Sequence, residues 1–176
     1  MKTQNVSDLR TLVATHQSKL TQLTDEDMRR TLGEGQWSGK QVLGHLIDSA
    51  LLNRYRIILG LFEPPENFPG ALHFNDAQDN WTRVQAYNDY AWMDLVQLWT
   101  TDYLHIVHMV THAPDDAAHR LCPATFGASS FVMVDWMVGH VFRHMDFHLQ
   151  EIYHLVGGPV PDGRAVAEAI EKLPRK

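Results

Sequence analysis

The chain has 176 residues, enough for one domain with a substantial core. Hydrophobic residues make up 44% and charged residues 20%, a globular balance that argues against disorder. The net charge of −6 comes with no lysine- or arginine-rich stripe, so nucleic acid is not an expected partner.

Residues 1–12 hold no apolar stretch of signal-peptide length, and no run approaches a membrane span, so no membrane association is expected. The single cysteine, Cys122, fits a reducing compartment. The cytoplasm is the expected location. One domain over 1–176 is expected, with a bundle core over about 7–156 and a tail over 157–176.

Four helical stretches are predicted. The first covers 7–23, with Ser7 as N-cap and Leu9, Leu12, Val13, His16, Leu20 and Leu23 at helical spacing. The second opens at Ser38, whose hydroxyl can cap the exposed amides while Gln41 reaches back. It runs to Phe62 and stops at Pro64-Pro65. Apolar around most of its circumference, it reads as the central helix.

A Pro-, Asn- and Gly-rich connection follows over 63–80, with a helical turn at 81–85. The third helix covers 88–112 and stops before Pro114. A loop over 114–129 contains Cys122-Pro123. The fourth helix covers 130–156 and ends at Gly157-Gly158-Pro159. A short helical piece is expected over 164–173. These elements specify an all-α fold, a four-helix bundle whose interior can house a metal or cofactor.

The chain carries 11 histidines. Residues four apart share a helix face, so His140, His144 and His148 offer two overlapping chelating pairs. The apolar stripe Phe131, Val134, Val138, Met145, Leu149, Ile152 and Val156 chooses between them. From Met145, His148 lies about 60° off that line, His144 about 100° and His140 about 140°. His144 and His148 therefore border the core, and His140 is expected to face solvent or a partner chain.

A third ligand must come from another helix, and His45 is the histidine of helix two. Ser49, Leu52 and Arg56 share its face, a lining suited to a polar or anionic ligand. On pattern alone such histidines are more often structural than ligating. His105, His108 and His112 form a weaker rival set near a helix C-terminus, where imidazolium is favoured without any metal.

Trp37-Ser38 followed by Gly44-His45-Leu46-Ile47-Asp48-Ser49-Ala50 resembles the helix-two signature of the DinB-like (DinB/YfiT-like) metalloenzyme family. The matching last-helix signature reads His144-Met145-Asp146-Phe147-His148-Leu149-Gln150-Glu151-Ile152. The likeness covers about 7–156 and includes Asp79-Asn80-Trp81 and Tyr87. It implies an up-down-down-up bundle and a metal on His45, His144 and His148. It also implies homodimers, which the five tryptophans and the apolar positions of helices three and four suggest independently.

Relatives include mycothiol-dependent isomerases of the maleylpyruvate type, other thiol-dependent transferases, and metal-dependent hydrolases. Three neutral imidazoles leave a coordination position open on zinc or nickel, either of which suits an all-nitrogen site. The expected function is thus a metal-dependent hydrolase, or a transferase using a low-molecular-weight thiol, acting on a small molecule. Asp48 is a candidate hydrogen-bond acceptor behind His45, and Arg56 a candidate for a substrate carboxylate. Cys122 lacks a histidine partner and is not expected to be a nucleophile. The competing expectation is a non-catalytic, metal-stabilised bundle that binds a small molecule for stress protection. Occupancy of the metal should fall below about pH 6.5, where free imidazole protonates.

Overall fold

The computed structural model describes residues 5–65, 68, 78–124 and 131–160, with 5–7 described by backbone alone. Five α-helices form in chain order: α1 Asn5–Leu20, α2 Gly39–Phe62, α3 Gln78–Val84, α4 Trp92–Thr111 and α5 Val134–Leu155. Two short strands, β1 Leu121–Pro123 and β2 Phe131–Met133, pair antiparallel. The tail helix expected over 164–173 lies outside the described residues. No described helix is long and apolar enough to cross a membrane.

Side-chain bonds fix the helix directions. Trp92 Nε1 donates to the Leu20 carbonyl at 2.9 Å, and Lys40 Nζ meets Asp25 Oδ1 at 2.6 Å. The C-terminal end of α1 therefore sits with the N-terminal ends of α2 and α4. His16 Nδ1 and the Tyr153 hydroxyl stand 2.8 Å apart, so the C-terminal parts of α1 and α5 lie side by side. The course is up-down-down-up across α1, α2, α4 and α5.

α2 is the central helix. It packs against both α5 and α4, and its buried residues cover most of its circumference between Gly39 and Gly60. Its start is the capping box expected from the sequence: Gln41 N donates to Ser38 Oγ at 3.2 Å, and Ser38 N donates to Gln41 Oε1 at 3.0 Å. Val138, Met145, Leu149 and Ile152 of α5 are buried as expected.

Several expectations are corrected. Ser7 lies inside α1, which begins by Asn5, so it does not cap that helix. The last long helix starts at Val134, because Phe131, Val132 and Met133 alternate outward and inward and pair with β1. Phe131, in β2, and Val156, just past the end of α5 at Leu155, fall outside the helix's buried face and are exposed. None of the five tryptophans is fully exposed; Trp92 and Trp99 are buried, and Trp37, Trp81 and Trp136 are half-buried, so only those three present any surface. His140 is buried, 6% exposed, rather than turned to solvent. The buried arc of α5 runs past His144 to include it, because α2 covers that flank and Trp136 stacks flat on its ring at 5.1 Å.

Gly44 explains a spacing within α2. A Cβ there would lie 2.1–2.4 Å from the Tyr87 ring, so only glycine lets that ring lie against the helix. The Tyr87 hydroxyl thereby donates to Asp48 Oδ1 at 2.8 Å, one turn further on. Gly44→Ala is expected to lower stability by at least ~2 kcal/mol in urea unfolding through overpacking, with Tyr87 displaced from Asp48. An unchanged midpoint would contradict this packing.

Candidate metal centre

The antiparallel packing of α2 on α5 sets the capped start of α2 opposite two successive turns of α5. His45 comes from the first, His144 and His148 from the second. His45 Nε2 and His144 Nε2 stand 3.3 Å apart. The His148 ring lies 4.9 Å from that of His45 and 4.5 Å from that of His144. One nitrogen from each of the three rings lies within 4.8 Å of the others.

This arrangement fits a metal ion in its chemistry and its scale. Two nitrogens bound at about 2.0–2.1 Å to one tetrahedral ion stand about 3.4 Å apart, close to the separation of His45 and His144. Burial holds the His45 imidazole down to about pKa 3 and that of His144 well below its ordinary value, with the charge of His148 acting in the same direction. Both rings are therefore neutral at physiological pH, the form that donates to a metal.

The surroundings orient the rings. Trp37 tilts against His45 at 5.1 Å and is itself held by a hydrogen bond from its Nε1 to Asp79 Oδ1 at 3.1 Å. His148 Nδ1 meets Glu151 Oε2 at 2.5 Å, leaving Nε2 as the ring nitrogen open to a ligand. A cleft of about 270 Å³ reaches the cluster at His148, between Trp37, Asp79, Leu32, Val42 and Glu151. Glu151 carries a role that the sequence analysis does not assign. Its position three residues after His148, on the same helix face, was the available signal.

The other singled-out residues fall as follows. Asp48 is buried, and its Oδ1 accepts from Tyr87 and from Gln85 Nε2 at 3.3 Å, so it ties α2 to the chain before α4. Burial raises its pKa above the usual carboxylate value. Arg56 is buried, with Nη1 donating to Asn53 Oδ1 at 3.0 Å. His140 lies beside His144, ring to ring at 5.9 Å, and is not one of the three clustered histidines. Burial foremost, then Arg143 and Arg56, hold it down to about pKa 4.

His108 and His112 face each other at 4.3 Å, and His105 meets Arg54, but these three form no ligand cluster among the described residues. Cys122 is a buried free thiol pushed up to about pKa 12 by burial, which suits no nucleophile.

A family model for the DinB superfamily matches residues 9–152. The chain belongs to the DinB superfamily. Among solved structures it is similar to YfiT from Bacillus subtilis, described as a probable metal-dependent hydrolase with an unusual four-helix bundle topology. That likeness has a TM-score of 0.70 at 17% identity, covers 95% of this chain and 90% of YfiT, and concerns the fold. Among curated proteins none matches the sequence.

Two outcomes follow. Glu151→Gln is expected to weaken zinc affinity by about 10–100-fold in chelator competition, since His148 loses the carboxylate that fixes its tautomer; unchanged affinity would contradict that role. His16, His45, His140 and His144 all have folded pKa values below the free imidazole value. The unfolded chain therefore binds more protons below about pH 6.5, and the metal-free protein should lose stability as pH falls from there. A thermal midpoint constant from pH 7 to pH 5 would contradict it.

Proposed function

We propose that this protein is a metal-dependent enzyme acting on a small molecule, with His45, His144 and His148 as the metal ligands and hydrolysis as its reaction class. The observation that carries this reading is the facing pair of imidazole nitrogens at 3.3 Å, with His148 joining them at the mouth of a cleft. Zinc and nickel both suit the all-nitrogen donor set. Bound there, the ion would supply Lewis acidity at a position not taken by protein, facing the cleft.

The chain's own groups divide the remaining work. Glu151 lines the cleft and is placed to accept a proton from an entering nucleophile, while Trp37 and Asp79 also line it. Asp48 holds the helix that presents His45, through its bond from Tyr87. Hydrolysis and transfer to a low-molecular-weight thiol differ in the entering nucleophile. The carboxylate beside the cleft favours water, which needs a proton acceptor, over a thiol entering as thiolate.

Metal analysis of tag-free protein tests the reading. Wild type and His140→Gln should each hold one ion per chain, and His45→Ala, His144→Ala and His148→Ala should each hold less than about a tenth of that. His140→Gln should also lose roughly 1–3 kcal/mol of stability, because it alters a buried stacked ring. A stoichiometric ion retained by His144→Ala would overturn the ligand assignment.

We also propose a two-fold dimer. The supporting surface is a groove of about 630 Å³ between α1 and α5, apolar at Leu9, Leu12, Met133, Trp136 and Phe142. Light scattering at micromolar concentration should report twice the chain mass, and a monomer there would contradict the dimer.

A further inference from the structure

Arg56 is a cation at the centre of the bundle with no counter-ion among the described residues. It is 2% exposed. Nη1 donates to Asn53 Oδ1, but Nε and Nη2 are buried without a hydrogen-bond partner. Lys40, equally buried, meets Asp25 Oδ1 and the Tyr90 carbonyl, both at 2.6 Å. Arg54, two residues from Arg56, meets Asp102 Oδ1 at 3.0 Å. Among the described residues, then, two other cations of α2 meet carboxylates and Arg56 does not.

Such an omission has an energetic cost. A guanidinium stays protonated across the working pH range, and a buried charge without a partner is strongly unfavourable. Its charged neighbourhood offers no relief: the thiol of Cys122 is neutral at that pH, and His140 is an imidazole. The two open donors are also adjacent. Nε–H and Nη2–H point from one edge of the planar fork, the edge that engages both oxygens of a carboxylate.

His45, Ser49 and Arg56 lie along one buried face of α2, and His140 and His144 belong to the helix packed against it. The bond to Asn53 shows the guanidinium folded back towards the histidine cluster. Asn53 is eight residues beyond His45, about 12 Å along the axis at 1.5 Å per residue.

We propose that the Nε/Nη2 edge of Arg56 is the receptor for a carboxylate, the acidic end of a small organic acid whose reactive end lies at the histidine cluster. Asn53 is the positioning residue that holds Nη1 and so aims the open edge. This deepens the metal-centre reading and rests on it for the placement of the reactive end.

The test uses zinc-loaded protein and calorimetry. The probes are acetohydroxamate, the monohydroxamates of succinic, adipic and suberic acids, and the methyl esters of those three. At one chain length the free acid should bind at least ~tenfold more tightly than its ester. Arg56→Gln should erase that preference while leaving acetohydroxamate affinity unchanged, and Asn53→Ala should reduce it. Acid and ester binding alike at every length, or a preference retained in Arg56→Gln, would overturn the proposal.

A second arm follows the thermal midpoint of metal-free protein in acetate. Acetate should stabilise wild type over Arg56→Gln, and equal midpoints would overturn the carboxylate receptor. Acetate stabilisation without any chain-length preference would mean a structural anion site and overturn the substrate assignment. If acetohydroxamate fails to bind at all, the metal reading fails, and the acetate arm still decides Arg56. Should Arg56→Gln not fold, the acid-to-ester comparison in wild type and Asn53→Ala decides it.

Discussion

Imidazoles buried against one another cannot all take up protons, and this constraint governs the centre of the bundle. His45, buried, and His144, half-buried, bring nitrogens to 3.3 Å. Protonating both would put two like charges in contact at low dielectric, where repulsion is many times that in water. The rings must therefore stay neutral, and neutral rings with converging lone pairs are what a divalent cation needs. Burial and the proposed metal affinity are in this way two consequences of the same packing of α2 on α5.

That packing depends on details far from the histidines. The capping box at Ser38 and Gln41 fixes where α2 begins and hence the turn on which His45 falls. Gly44 admits the Tyr87 ring, whose hydroxyl holds Asp48, so the chain before α4 is pinned beside the turn that carries His45. On the far side, His16 joins Tyr153 and meets Asp146 Oδ1 at 3.3 Å, linking α1 to the ligand-bearing helix. Trp37, held by Asp79, closes the third side.

Much of this was legible in the sequence because it depended on local rules. The capped start of α2, its wrap-around apolarity and the four-residue spacing of His144 and His148 each follow from helix geometry. The burial of His140 did not. Its angle from the apolar stripe was right, but the width of the stripe depends on a neighbouring helix, which periodicity within one segment does not reveal. The β1–β2 pair was missed for a similar reason: Phe131 to Met133 reads as a helix start until Leu121 to Pro123 is set beside it. Arg56 was visible as a residue on the His45 face of α2, while its lack of a counter-ion among the described residues is a three-dimensional fact. Glu151 stood in plain view at helical spacing from His148, and only the 2.5 Å contact separates it from an ordinary surface carboxylate.

In the proposed site three imidazoles share one ion, and X-ray absorption spectroscopy of the zinc-loaded protein reads those ligands directly. The expected spectrum has nitrogen or oxygen scatterers alone at about 2.0–2.1 Å, with outer-shell features fitted by three imidazole rings. A sulfur scatterer at about 2.3 Å, or outer-shell features absent or fitted by a single ring, would contradict it.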